Sequence, residues 1–141
     1  FNVGEIFRTA DGVGIEHLYL CGITPAPLAH PDMVKTALGA EAVVPWSFHT
    51  NALFVAENLQ EEGVILLALE RTPQSIPIHE FSLKRFDDRL IALVLGHERA
   101  GIDPGLLALS DGVISLPMVG GKASLNVAVA FGVAAYALAF R

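Results

Sequence analysis

The stretch ISLPMVGGKASLNV, from Ile114 to Val127, constrains the fold of this chain most. It opens in a strand, Val113 to Leu116, which Pro117 stops by removing a backbone donor. Gly120 and Gly121 then permit backbone paths that a side chain would forbid. Ser124 is expected to open the final helix as its cap, since a serine oxygen can accept from the first free amides. Strand, glycine turn and helix N-terminus bring backbone groups to face a ligand. A second loop of the same kind, Gly96-His97-Glu98-Arg99-Ala100-Gly101, follows the apolar run Ile91 to Leu95, read as a buried strand. In open α/β sheets ligands bind beyond the carboxyl ends of strands, so the two loops suggest one pocket.

The rest of the chain alternates in the same way. Val3, Ile6, Phe7 and Ala10 recur at helical spacing, with Asn2 as cap and Gly12 or Gly14 as stop. His17 to Cys21 reads as a strand, Ile23 to Pro31 as a loop with three prolines, and Pro31 to Leu38 as a short helix. Val43 to Trp46 reads as extended, at a sheet edge because of Pro45. Thr50 or Asn51 caps a helix with the apolar stripe Ala52, Val55, Ala56 and Leu59, which Gly63 ends. Val64 to Leu69 is uniformly apolar, as a strand buried on both faces requires. Thr72 to Ile78 is a proline-punctuated loop, and Lys84 to Arg89 a charged connector. Asp103-Pro104 starts a short helix through Leu109. Strands alternating with helices give an α/β fold with a mainly parallel sheet and helices on both faces.

Of the 141 residues, 52% are hydrophobic and 17% charged, enough for a large core and a buried interface between subunits. The formal net charge of −6 argues against binding nucleic acid by bulk electrostatics. Arg8, Arg99 and Lys122 nevertheless stand out as basic residues that are expected to form a local positive mouth on an acidic body. The lone Cys21 excludes an internal disulfide and a cysteine-based metal site, and fits a reducing cytoplasm. The five histidines share no metal-ligand spacing, so no metal is expected. Leu125 to Phe140 is shorter than the roughly 20 residues of a membrane span, contains Asn126 and is read as a buried helix; no membrane association is expected.

Three separated motifs carry a resemblance. Asn2-Val3-Gly4 with Arg8-Thr9-Ala10, LVLGHERAGI from Leu93 to Ile102, and ISLPMVGGKASLNVAVAFG from Ile114 to Gly132 resemble, in order and separation, the motifs of the SpoU (TrmH) family of RNA 2′-O-ribose methyltransferases within the SPOUT superfamily. The resemblance covers nearly the whole chain and implies a single SpoU-type domain over residues 1–141. The strand that usually precedes the first motif is missing, so the N-terminus is expected to be trimmed, and the extra RNA-binding domain of many relatives is missing too.

The resemblance further implies a deep C-terminal trefoil knot built from the second and third motifs, a rare exception to ordinary chain topology. It implies S-adenosylmethionine as cofactor and tRNA or rRNA as substrate. By resemblance, Leu95, Gly96, Leu116, Met118, Ser124 and Leu125 contact the cofactor. Arg8 matches the catalytic arginine, and Asn2, Glu98, Ser124 and Asn126 the other polar motif positions. Arg8, Arg99 and Lys122 are the RNA-contact candidates. On its own Arg8 is a surface arginine; the motif gives it a role, as a base or as a cation on phosphate and developing alkoxide. Glu98 is read as organising its loop, and Asn126 as bracing the site. The final helix has no polar face and is expected to be covered by a second subunit in a homodimer.

Two other classes compete with the enzyme: a non-catalytic knotted RNA-binding or dimerisation module, and a Rossmann-type nucleotide-binding domain. The polar motif residues argue against the first. The absence of G-x-G-x-x-G after the first strand argues against the second.

Overall fold

Helical periodicity in the first residues is realised as α1 (Asn2–Val13), which buries Phe7 and Ala10 completely and leaves Arg8 on its exposed face. The protein was analysed as a computed structural model, which describes residues 2–22, 39–97 and 99–141. The expected loop Ile23 to Pro31, the expected helix Pro31 to Leu38, and the side chains of Asn2 and Glu98 lie outside the described residues. The chain divides into two compact units, Phe1–Ala52 with Phe131–Arg141, and Leu53–Ala130.

In the first unit, Gly14 rather than Gly12 ends α1. Its φ is 80°, and its amide donates to the Ala10 carbonyl at 3.0 Å. Gly12 remains in the helix, where a Cβ would stand 2.8 Å from the Tyr136 hydroxyl. β1 (Leu18–Cys21) and β2 (Trp46–His49) pair in parallel, Leu18 opposite Trp46 and Cys21 opposite His49. The extended segment therefore begins after Pro45, not at Val43. A 3-10 turn at Ala40–Ala42 precedes it, and Pro45, which has no N–H, supplies only its carbonyl to the Leu18 amide. On one face of this pair, the Ser47 hydroxyl lies 2.7 Å from Nε2 of His17 and 2.7 Å from Nε2 of His49. Partial burial and the neighbouring His49 lower the His17 pKa. Cys21 is half-buried, and its burial raises the thiol pKa.

The second unit holds nearly all of α2 (Ala52–Glu61), which buries Val55 and Ala56 and stops at Gly63, φ 89°. Its sheet is wholly parallel, in the order β4-β6-β3-β5, comprising β3 (Ile65–Leu69), β4 (Ile76–Pro77), β5 (Ile91–Val94) and β6 (Gly112–Ser115). β3 is flanked on both sides, and Ile65, Leu66, Leu67 and Ala68 are buried, as a two-sided apolar run requires. β5 departs from the expectation of a buried strand. It pairs only with β3, forms the sheet's edge and is half-buried along its length. The proline loop also contains β4, with Pro77 at the opposite edge, where a missing donor is tolerated.

Asp103 caps α3 (Pro104–Leu109) by accepting from the Gly105 amide at 2.7 Å. α4 (Val127–Ala139) begins in the second unit and ends in the first. It buries Ala128, Phe131, Ala134 and Ala135, but Val129, Val133, Tyr136 and the following Phe140 are 52%, 48%, 46% and 70% exposed. These four recur at helical spacing, so the solvent face of this helix is itself apolar.

Candidate active site

Parallel pairing aligns the carboxyl ends of β6, β3 and β5, and the chain leaves each of them into a loop. These loops line an open cavity of about 340 Å³ whose lining residues all belong to the second unit. Leu69, Glu70 and Arg71 contribute from the end of β3, Leu95, Gly96, His97 and Gly101 from the end of β5, and Ser115, Leu116 and Met118 from the end of β6. Ala123 to Val127 and Ala130 close it. The size falls in the usual range for small-molecule sites.

The loop after β5 is tied into a closed ring. The His97 amide donates to the Gly101 carbonyl at 3.2 Å, and the Gly101 amide donates back to the His97 carbonyl at 2.8 Å. Nδ1 of His97 accepts from the amides of Arg99 at 3.2 Å and Ala100 at 3.4 Å. Gly96 is required by close approach: a Cβ there would lie 2.5 Å from the carbonyl carbon of Gly101 and 2.6 Å from the Ile102 nitrogen. Gly101 is required by conformation, φ 73°, and because a Cβ would collide with the Glu70 carboxylate. Gly120 and Gly121 differ from these, since a Cβ on either would meet nothing within 4 Å and neither has a positive φ.

Six residues singled out from the motifs, Leu95, Gly96, Leu116, Met118, Ser124 and Leu125, all line this one cavity, as does Asn126. Ser124 does not cap the last helix. Asn126 does, its Oδ1 accepting from Ala128 at 2.9 Å and from Val129 at 3.4 Å. The chain from Pro117 to Asn126 runs irregularly along the cavity, so the first helical turn starts at Val127, and asparagine caps as well as serine. Arg99 and Lys122 are exposed on the loops without lining the cavity. Arg8 belongs to the other unit.

Sequence reasoning missed Glu70 and Arg71. Oε1 of Glu70 accepts from the Ile102 amide at 2.7 Å, and the Arg71 guanidinium donates to the Ala123 carbonyl at 3.1 Å. Their position immediately after a buried strand was the available signal. Among the described residues, no cluster of three or more His, Cys, Asp or Glu side chains is arranged to hold a metal ion, and no helix is long and apolar enough to cross a membrane.

A model of the SpoU rRNA Methylase family matches residues 1–136. The chain belongs to this family. Among SpoU relatives, it is 30% identical over 135 residues to the tRNA (guanosine(18)-2′-O)-methyltransferase of Escherichia coli (strain K12), covering 96% of this chain and 56% of that protein. It is 32% identical over 134 residues to the 23S rRNA (guanosine-2′-O-)-methyltransferase RlmB of Vibrio parahaemolyticus, covering 94% and 51%. The fold is similar to the crystal structure of an AdoMet-bound rRNA methyltransferase from Sinorhizobium meliloti, with TM-score 0.85 and 25% identity over 96% of this chain and 50% of that one. The chain spans about half the length of the curated relatives it matches.

Proposed function

We propose that this SpoU chain transfers a methyl group from S-adenosylmethionine to a ribose 2′-hydroxyl of tRNA or rRNA. The observation that carries the reading is the cavity beyond β3, β5 and β6, where the second and third motifs meet. Its lining fits an adenosyl cofactor: Leu95, Leu116, Met118 and Leu125 offer apolar surface to a base, and the loops offer backbone donors and acceptors. The match to one family model over residues 1–136 supports treating the chain as a single methyltransferase domain. The position of β3 between β5 and β6, with both motif loops at one end, supports the trefoil knot implied by the motifs.

S-adenosylmethionine, when bound, supplies a methyl group on a positively charged sulfur. The loops have to align that group with the ribose oxygen and exclude water from it. Arg8 carries the polar part of the reaction. A guanidinium has donors and no acceptor, so Arg8 holds an RNA phosphate and stabilises charge as the hydroxyl loses its proton, rather than acting as the base. Asn2, Glu98, Ser124 and Asn126 hold motif backbone and substrate around it, while Arg99 and Lys122 meet RNA at the exposed loops.

The apolar face of α4 supports a homodimer formed through that helix, in which α1 of one subunit presents Arg8 to the pocket of its partner. An RNA substrate and a lone cysteine fit a cytoplasmic setting. A non-catalytic module would have no need of a ligand cavity at the motif loops.

Calorimetric titration with S-adenosylhomocysteine and with a dinucleotide tests the cofactor assignment: the first should bind and the second should not. Mapping 2′-O-methylation in RNA from cells with and without the gene tests the reaction and names the nucleotide.

A further inference from the structure

Arg71 is the only lysine or arginine among the residues lining the cavity. Its guanidinium is held at the rim by one donated hydrogen bond, 3.1 Å to the Ala123 carbonyl, which leaves further N–H groups of the planar fork for a ligand. The adjacent carboxylate, Glu70, is engaged with the Ile102 amide at 2.7 Å. Among the described residues, no carboxylate forms an ion pair with Arg71. The guanidinium therefore offers the cavity a positive charge and donors for an anionic group of a ligand.

We propose that Arg71 recognises the carboxylate at the amino-acid end of the adenosyl cofactor. The inference rests on the functional reading above and deepens it by giving the pocket a polarity. The apolar lining takes the adenine, and the Arg71 rim takes the carboxylate. Guanidinium and carboxylate match in planar geometry, and a charge-assisted pair is stronger than a neutral hydrogen bond. No motif points to Arg71.

The test compares S-adenosylhomocysteine, which has the carboxylate, with 5′-methylthioadenosine, which lacks the amino-acid end. Both are titrated into wild-type protein, Arg71→Ala and Arg71→Lys. Arg71→Ala should weaken S-adenosylhomocysteine about tenfold and leave 5′-methylthioadenosine unchanged; Arg71→Lys should recover part of the loss. Equal weakening of both compounds would mean that Arg71 only latches the Ala123 loop, and it would overturn the inference. Unchanged binding of both would do the same, and either result leaves the cofactor site standing. Wild-type protein that binds neither compound would instead remove the functional reading, and the inference with it.

Discussion

Glu70 Oε1 accepts a 2.7 Å hydrogen bond from the Ile102 amide, which ties the end of the central strand to the loop that leaves its neighbour. The same carboxylate occupies the space that a side chain on Gly101 would need. Glu70→Ala should speed hydrogen exchange at the Ile102 amide and cost about 1 kcal/mol of stability. Glu70→Gln, which keeps an acceptor oxygen, should restore most of both. Gly101→Ala should be less damaging in the Glu70→Ala background than in the wild type, because the collision is gone and only the positive-φ strain remains. Denaturant melts of the four proteins measure this coupling; additive costs would show that the two residues do not constrain each other.

Gly96 tests the pocket wall. A Cβ there meets backbone of Gly101 and Ile102, which cannot rotate away as a flexible side chain would. Gly96→Val should abolish S-adenosylhomocysteine binding in calorimetry and lower stability by about 1–3 kcal/mol, the usual cost of overpacking. A folded Gly96→Val protein with wild-type affinity would remove the site assignment.

Arg8 lies on the exposed face of α1, so its loss should leave folding intact. Arg8→Ala should bind S-adenosylhomocysteine normally and lose most methyl transfer to RNA. Arg8→Lys should recover little, since lysine lacks the planar fork. Transfer of labelled methyl groups at the wild-type rate by Arg8→Ala would exclude the catalytic role.

α4 leads to a prediction about assembly. Val133 is 48% exposed at the middle of an apolar stripe whose other members are Val129, Tyr136 and Phe140. Val133→Glu would bury an unpaired charge in a dimer interface at a cost of several kcal/mol. Sedimentation should find wild-type dimers at micromolar concentration, and monomer or aggregate with lost activity for Val133→Glu. A clean wild-type monomer would refute the interface.

His17 makes stability depend on pH. Partial burial and the neighbouring His49 hold its folded-state pKa below the ordinary histidine value, so the unfolded chain binds the proton more readily. The contribution is therefore fully present above pH 6.5 and is lost as the pH falls through the lower folded value. Urea midpoints should drop as the pH falls below about 6.5, and His17→Gln should flatten part of that drop. An identical pH profile for the variant would show that His17 does not contribute.

Local pattern in the sequence determined most of the elements and the family. The unbroken apolar run of β3, the Asp103-Pro104 start of α3 and the spacing of the three motifs are properties of neighbours along the chain, and they are legible without coordinates. They also marked six residues that the structure gathers around one cavity. Tertiary structure decided what depends on residues distant in sequence. Glu70 and Arg71 have only their position after a buried strand as a signal; they became parts of the site because parallel register sets the end of β3 beside the loops after β5 and β6. Ser124 and Asn126 are equally good caps by propensity, and the path of the chain along the cavity chose Asn126. Gly96 and Gly120 look alike in sequence, but only at Gly96 does another stretch of backbone approach within the reach of a Cβ. Periodicity reports which faces of an element are apolar, whereas the order of strands in the sheet brings together segments distant along the chain, which no pattern among neighbouring residues specifies.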